Sequence, residues 1–398
     1  MNLLYITAVW TEDGESNMHL DFVKQAAAEG INVTVLALCE ERLGIETNYK
    51  KYENFDIVHV HCGNIQKTNK YKKVISSVMA NLQMVHAANK YLKKRTFDVC
   101  VWSVSTTLIY VGVRMLKEKF KAAEYLLLKE YWPQDPVDLG AMREGGAVYS
   151  VLKHAERSML QAADYIGTSS EAGTKYVIDR YPENSSKCEV CPHCEEAVVI
   201  DKTDKKAVLK SYGLPENKTI FIYGGNFGVS QGIDDMISCI STASAVEDAY
   251  FVLLGSGTEY MKVKKHFENY ENVRFMGGMK HSEFLRLASA CDAGMIFLFK
   301  DYNVPNIPGK LNTYLNAEVP IIACVDRTTD LGDIISEGGA GIKVRSGDAA
   351  GFKAAVEKLQ DESLRREMSE NAKKLLYEKY TPDKTVSIIK NHFIQESL

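Results

Sequence analysis

The sequence predicts two doubly wound α/β domains in tandem, and three observations carry that expectation. The chain has 398 residues, more than one ordinary core of about 150 residues needs and fewer than a typical three-domain protein. Short apolar runs alternate with longer amphipathic segments, which is how parallel strands joined by crossover helices read. The alternation breaks once, over Tyr181–Thr203, a polar and charged stretch interrupted by Pro182 and Pro192, where the joint between domains is expected.

In the front half, strands are expected at Leu3–Val9, Val33–Leu38, Ile57–His61, Val99–Val104, Ala123–Lys129 and Tyr165–Thr168. In the back half they fall at Ile220–Tyr223, Phe251–Leu254, Val273–Met276, Ala293–Leu298, Ile321–Cys324 and Gly341–Val344. Glu362–Leu398 reads as two or three helices without a strand partner, the last expected to pack back across the joint. The working division is residues 1–190, 191–375 and a crossing helix over 376–398. In such sheets ligands bind beyond the carboxyl ends of the strands, so two facing sheets imply a cleft.

Composition excludes several classes. With 45% hydrophobic and 25% charged residues the chain is neither disordered nor a coiled coil. A formal charge of −4 gives no reason to expect nucleic acid as a partner. Nine cysteines without an even framework suit a reducing, cytoplasmic setting. The apolar opening Met1–Trp10 lacks a basic leader and reads as a strand, and no apolar run approaches the ~20 residues that span a bilayer.

Chemistry concentrates in loops of the back half. Ile220–Ile233 is a strand, a glycine-rich turn with Gly225, Asn226, Gly228, Ser230 and Gln231, and a helix start. Glycines let backbone N–H groups approach an anion, so a phosphate fits there, although glycines at such turns are equally often steric. Gly255 and Gly257 follow the next strand, and Gly277, Gly278 and Met279 the one after, each also readable as a plain turn. The sharpest feature is Val304–Ala323. Pro308 suits a helix's first position, with Asn306 or Ile307 in the cap region, and Gly309, Lys310, Asn312 and Thr313 follow. Free amides there, with the Lys310 ammonium one turn in, make an anion site; the plain alternative is a solvated lysine on a proline-started helix.

Other motifs are less directed. Cys188-x-x-Cys191-x-x-Cys194 with His193 resembles a metal-ligand run, but alternate strand residues point apart and no second Cys-x-x-Cys lies nearby, so structural thiols are favoured. His59 and His61 project to one face of a strand with no third ligand in view. Between Ile57 and Phe97 the chain carries Lys67, Lys70, Lys72, Lys73, Lys90, Lys93, Lys94 and Arg95 and no acid. The helix between these clusters, bearing Val74, Ile75, Val78, Met79, Leu82 and Val85, either rests on anionic lipid or faces the core.

The order of segments resembles the GT-B retaining glycosyltransferases of family four, and within them bacterial enzymes of surface-polysaccharide and O-antigen assembly, including the fucosaminyltransferase-like group. The resemblance runs over nearly the whole chain. It rests on Asp56–His61, Leu128–Pro133 with Leu139-Gly140, Ala155–Asp164 leading to Ser169-Ser170, and Glu189–His193. It continues through Gly225–Gly232, Leu254–Gly257, and Ile307–Leu315 with Val319-Pro320. It implies transfer of a sugar, with retention, from a UDP- or GDP-sugar held by the C-terminal domain to a glycan or lipid-linked acceptor held by the N-terminal one; if the basic-ended helix rests on anionic lipid, the inner face of the membrane is the expected place. The glycine turns and Lys310 would hold base, ribose and diphosphate, with Met279, Asn312 and Thr313 beside them, while Trp132 and the Glu12–Asn17 loop face them.

Departures accompany the resemblance. Asn226 and Gln231 stand where most members carry arginine and lysine, and the family's two glutamates fall at Pro305 and Thr313. Lys129 and Glu130 occupy the place of a frequent histidine. Lys310, supported by Lys129 across the cleft, would stabilise the leaving diphosphate, and Glu130 would orient Lys129 or the acceptor hydroxyl. No Asp-x-Asp is present, so neither a metal nor another cofactor is expected. Two alternatives stay open: a catalytically silent GT-B subunit that binds nucleotide sugar, and a GT-B nucleotide-sugar epimerase.

Overall fold

The computed structural model describes residues 1–8, 10, 15–65, 68–103, 107–199 and 204–394. The chain divides into two compact units, Met1–Cys194 with Pro382–Leu398, and Glu195–Thr381. Residues 191–194 thus go with the first unit, where the Cys191 N–H donates to the Thr168 carbonyl, and the boundary lies at Glu195 rather than 191. Residues 376–381 go with the second, because Leu376 and Tyr380 are buried in its core. Part of the expected joint, residues 200–203, lies outside the described residues, as do Val9, residues 12–14, Lys67 and Val104.

The first unit is built on strands β1 (Asn2–Thr7), β2 (Asn32–Glu40), β3 (Asn48–Lys51), β4 (Phe55–Cys62), β5 (Val99–Ser103), β6 (Ala123–Leu128), β7 (Tyr165–Thr168) and β8 (Cys188–Val190). Their order in the sheet is β3-β4-β2-β1-β5-β6-β7-β8, and only the β3–β4 pair is antiparallel. Its helices are α1 (Met18–Ala28), α2 (Lys70–Tyr91), α3 (Tyr110–Phe120), α4 (Gln134–Asp138), α5 (Ala147–Ala162) and α6 (Glu171–Arg180). The central strands β1, β2 and β5 are largely apolar on both faces because helices cover both, as parallel crossover sheets require. Leu3, Tyr5, Val33, Val35, Val99 and Val101 turn toward Leu20, Phe22 and Val23 of α1. Asn17 starts α1 by accepting the His19 and Leu20 N–H groups at 3.0 and 3.1 Å.

Helix α2 packs the opposite way from a core-facing amphipathic helix. Its buried residues are Ser77, Ala80, Asn81, Met84, Ala87 and Ala88, while Val74, Ile75, Val78, Met79 and Leu82 are exposed and Val85 is half-buried. The reason lies in α3. Asn81 accepts the Gly112 N–H at 2.6 Å and donates to the Leu108 carbonyl at 2.9 Å, and a side chain at Gly112 would meet Asn81 and Met84. Small residues and one satisfied amide let the two helices approach closely, which leaves the bulkier apolar stripe facing water.

The second unit comprises β9 (Thr219–Asn226), β10 (Ala249–Ser256), β11 (Val273–Met276), β12 (Ala293–Phe297), β13 (Ile321–Val325) and β14 (Gly341–Arg345), all parallel, ordered β11-β10-β9-β12-β13-β14. Its helices are α7 (Lys205–Ser211), α8 (Ile233–Ala243), α9 (Tyr260–His266), α10 (His281–Ala290), α11 (Lys310–Asn316), α12 (Leu331–Glu337), α13 (Ala349–Lys358) and α14 (Glu362–Leu375). Alternation along β9 sends Ile220 and Ile222 toward α10 and α11, and Phe221 and Tyr223 toward α8 and α13. The chain winds outward from β9 to β11, then returns to the other side of β9 with β12. The β9–β12 boundary is therefore the switch point where this kind of sheet opens a crevice.

The last helix, α15 (Pro382–Ile394), belongs to the first unit. Val386 and Ile389 join the core under α1, Lys390 pairs with Glu29 at 3.1 Å, and the Thr385 hydroxyl donates to the Pro192 carbonyl.

Candidate functional site

At the switch point of the second unit Lys310, the first residue of α11, reaches back over the end of β9. Its ammonium donates to Gln231 Oε1 at 2.5 Å and to the Tyr223 hydroxyl at 3.1 Å, and stands 4.4 Å from the centre of the Tyr223 ring. The Tyr223 hydroxyl in turn donates to the Asn226 carbonyl at 2.6 Å, and the Gln231 amide to Ser230 Oγ at 3.2 Å. No carboxylate among the described residues pairs with Lys310. Burial alone pulls its pKa from 10.5 down to about 7. An enclosed cation whose partners are all neutral is disposed to receive an anion.

The glycines around this lysine divide by what they touch. A Cβ on Gly225 would lie 2.8 Å from Lys310 Cε, so glycine there makes room for the lysine stem. Gly255 abuts the Gly225 carbonyl and Gly257 the backbone of Phe227, which lets β9 and β10 run side by side past the sheet edge. Gly228 is buried against the Asn226 side chain, whereas Gly277, Gly278 and Gly309 border open space. Met279 is half-buried against the core.

Helix α11 begins two residues later than Pro308. Gly309 is its N-cap, and the Leu311 N–H closes a turn on the Pro308 carbonyl at 3.0 Å, so Lys310 is the first helical residue rather than one turn in. With only Lys310–Asn316 helical, the end of α11 contributes little field of its own, and the lysine carries the charge. Asn312 and Thr313 are buried.

Lys129 and Glu130 lie in the first unit, directly after β6. The Lys129 ammonium donates to the Cys191 carbonyl, and burial lowers its pKa against the opposing influence of the Cys191 and Cys194 thiols. The cation acting on Glu130 is Lys73, which also stands 4.2 Å over the Trp132 ring; burial raises the Glu130 carboxyl and Lys73 offsets part of that rise. His19 and His193 share the neighbourhood of Lys129. Burial first, then the lysine charge, holds His19 down to about 4 and His193 well below its usual range. Tyr5 meets His19 Nδ1 at 2.7 Å.

The sulfur run is a set of free thiols. Cys191 and Cys194 are buried, and burial pushes Cys188 up to about 11 and Cys194 to about 12, which keeps them protonated. His59 and His61 are held separately, by Asn48 at 3.0 Å and by the Ile45 carbonyl at 3.2 Å. Among the described residues no three metal-ligating side chains converge.

Sequence reasoning missed Glu195. It is buried beside α11, where Oε2 accepts from the Thr313 hydroxyl at 3.2 Å and Oε1 from Asn316 at 2.9 Å, with His281 Nε2 3.3 Å away. It missed Tyr223 as well, since an aromatic residue inside a strand carries no signal of a lysine more than eighty residues on.

Residues 204–375 match the family model described as glycosyl transferases group 1. The chain is 23% identical over 278 residues to the probable glycosyltransferase WbjE of Pseudomonas aeruginosa, covering 67% of each chain. It is 23% identical over 249 residues to the putative colanic acid biosynthesis glycosyl transferase WcaI of Escherichia coli, covering 60% of each. Sucrose-phosphate synthase of Thermosynechococcus elongatus superposes with a TM-score of 0.77 at 14% identity, over 100% of this chain and 99% of that one. Anabaena Alr3699/HepE in complex with UDP-glucose gives 0.69 at 12% identity, over the whole of both chains. The fold is GT-B, and the part of it over residues 204–375 is similar to the group 1 glycosyl transferases.

Proposed function

We propose that this chain transfers a sugar from a UDP- or GDP-sugar to a glycan or lipid-linked acceptor in cell-surface polysaccharide assembly, with retention of anomeric configuration and without a divalent metal. The observation that carries this reading is Lys310, enclosed at the β9–β12 switch point with only neutral partners. A diphosphate in that crevice supplies the missing counter-charge and draws the lysine back to its protonated form. As the glycosidic bond breaks, negative charge builds on the leaving phosphate, and an ammonium already in place stabilises that charge more than it stabilises the bound donor. The colanic acid enzyme WcaI and the UDP-glucose complex of HepE are consistent with this substrate class.

The acceptor side of the proposal draws on α2. Its exposed Tyr71, Val74, Ile75, Val78, Met79 and Leu82 lie in a segment whose charges are all basic. Such a face suits the interface of an anionic membrane, where a lipid-linked acceptor resides, and no helix among the described residues is long and apolar enough to cross one. On this proposal the enzyme works at the cytoplasmic face.

A thermal-shift panel of UDP- and GDP-sugars tests donor binding, and product analysis with and without acceptor tests transfer. Stabilisation by a donor that is never consumed identifies a silent binding subunit, a reading that Pro305 and Thr313 at the family's glutamate positions keep open. Conversion of the donor into another nucleotide sugar identifies an epimerase.

A further inference from the structure

The first unit carries a cleft at the amino edge of its sheet, at the opposite end from Lys129 and Glu130. It is walled by the starts of β1, β2 and β4, by the turn between β3 and β4, and by the stretch after α2. Its volume of about 450 Å³ falls within the range of small-molecule sites. β4 crosses the sheet with eight residues, so at about 3.3 Å per residue roughly 25 Å separates this cleft from the carboxyl edge.

The floor and one wall are braced. Arg95 donates to the Thr34 and Tyr49 hydroxyls at 2.9 Å each and pairs with Asp56 at 2.6 Å. The β3–β4 turn is closed by the Tyr52 N–H on the Phe55 carbonyl at 2.9 Å, and the Tyr52 ring stacks on Phe55 with centroids 5.0 Å apart. Trp10 meets Phe55 edge-on at 5.9 Å, so Tyr52 is a supported ring, with 38% of its surface exposed.

The rest of the wall has the chemistry of a sugar site. Asn32 Nδ2 donates to Asn2 Oδ1 at 3.0 Å, which leaves an amide acceptor on one residue and an amide donor on the other. Asn54 and Thr96 add an amide and a hydroxyl without a partner among the described residues. A sugar ring carries donors and acceptors around its rim and C–H groups on its faces, so it engages amides and a supported aromatic ring together. An apolar ligand gains little from a wall this polar. Arg95 and Asp56 cancel, and the other charged groups lining the cleft are Lys51 and Lys94 against Glu53 alone. Neither lysine has a carboxylate partner among the described residues. The one surplus positive charge favours a sugar bearing a carboxylate over a neutral one. Glu53 and Asp56 repel closely spaced phosphates, which disfavours nucleic acid.

We infer that this cleft binds an acidic saccharide, a hexuronic acid within a glycan chain, with its ring against Tyr52 and its carboxylate between Lys51 and Lys94. Such a cleft holds the glycan whether or not the chain transfers sugar, because none of its groups belongs to the carboxyl edge of either sheet.

The test is hydrogen exchange on wild type with short oligosaccharides of glucuronic, galacturonic and mannuronic acid, each beside its neutral hexose counterpart. At least one acidic oligosaccharide is expected to protect the amides of 51–56 and 94–97 and to bind more tightly than its neutral counterpart by calorimetry. Tyr52→Ala, and Lys51→Ala with Lys94→Ala, are each expected to weaken it by about fivefold or more, the scale of one stacking or charged contact. Protection confined to the carboxyl edge around 129–134, equal affinity for the neutral counterpart, or no binding of any acidic oligosaccharide at millimolar concentration each overturns the inference. So does a single-stranded oligonucleotide that occupies the cleft more tightly than the saccharides, since the site then reads phosphate. Should a variant fail to fold, the wild-type protection pattern and the preference over the neutral counterpart decide.

Discussion

Replacing Lys310 by methionine keeps most of the side-chain volume and removes the ammonium, and the two consequences for stability can be weighed. The lysine titrates at 10.5 in an unfolded chain and at about 7 in the folded one. Between those values the unfolded state holds more protons, so wild-type stability rises with pH from about 7 to 10.5; the cost is complete below about 7, where the folded lysine is protonated too, and gone above 10.5. At about 1.4 kcal/mol per pH unit the full window amounts to roughly 5 kcal/mol, an upper bound because the lysine stem keeps some access to water. Methionine escapes that cost but leaves Gln231 Oε1 without its strongest donor and removes a donor from the Tyr223 hydroxyl, at about 1–3 kcal/mol for the orphaned acceptor. Lys310→Met is therefore expected to stabilise the ligand-free second unit by about 1–3 kcal/mol at pH 7 and to lose that advantage by pH 9.5. Hydrogen exchange of the β9 and α11 amides at the two pH values reads this unit directly, avoiding the assumption that a two-unit chain unfolds in one step. A variant equally stable relative to wild type at both pH values, or less stable at pH 7, would refute the claim that the ammonium is held at a cost for the sake of a ligand.

Binding gives a companion ranking: Lys310→Ala is expected to weaken nucleoside diphosphate by roughly 1.5–3 kcal/mol and Thr313→Ala by about 0.5–1.5, as charged and neutral hydrogen bonds differ, and calorimetry showing the reverse order moves the diphosphate elsewhere. Calorimetry of a nucleotide sugar, whose esterified phosphates do not titrate near neutrality, should register close to one proton taken up on binding at pH 8, judged from the buffer dependence of the enthalpy; no uptake means that Lys310 does not meet the phosphates. Sedimentation with anionic vesicles is expected to exceed that with neutral ones, to fall as salt shortens the ~8 Å screening length, and to be lost in Ile75→Asp with Val78→Asp; binding unchanged in the double variant removes α2 from the interface. Gly255→Ala should destabilise the second unit by roughly 2–4 kcal/mol, the sum of a positive-φ penalty and a collision with the Gly225 carbonyl; denaturant unfolding indistinguishable from wild type would show that β9 and β10 can separate there.

What the sequence disclosed and what it withheld follow from the range of each interaction. All twelve expected strands lie within or overlap the observed ones, because a strand buried on both faces announces itself in a handful of consecutive apolar residues. β3 was invisible: Asn48–Lys51 is polar, largely exposed, and a strand only because β4 offers it an edge. The periodicity of α2 correctly grouped Val74, Ile75, Val78, Met79 and Leu82 on one face, but it cannot say whether that face meets core or water; Asn81 and Gly112 of the neighbouring helix decide it. Lys310 was legible as a cation among glycines and a proline, whereas the neutrality of its surroundings, which makes it informative, appears only when Tyr223 and Gln231 are brought to it in space. Glu195 reaches Thr313 across more than a hundred residues, and no local pattern encodes such a pairing.

The membership of α15 in the first unit has a consequence for how the molecule is made. A ribosome delivers the sheet and α1 early, but Val386 and Ile389, which complete the core beneath α1, emerge only after the whole second unit. At 5–20 residues per second, the roughly 190 residues of the second unit take about 10–40 s to synthesise. Throughout that interval the first unit keeps one face of its sheet incompletely covered. Chains stalled or cleaved before Pro382 should accordingly present that face to chaperones and proteases, even though every strand of both sheets has been made.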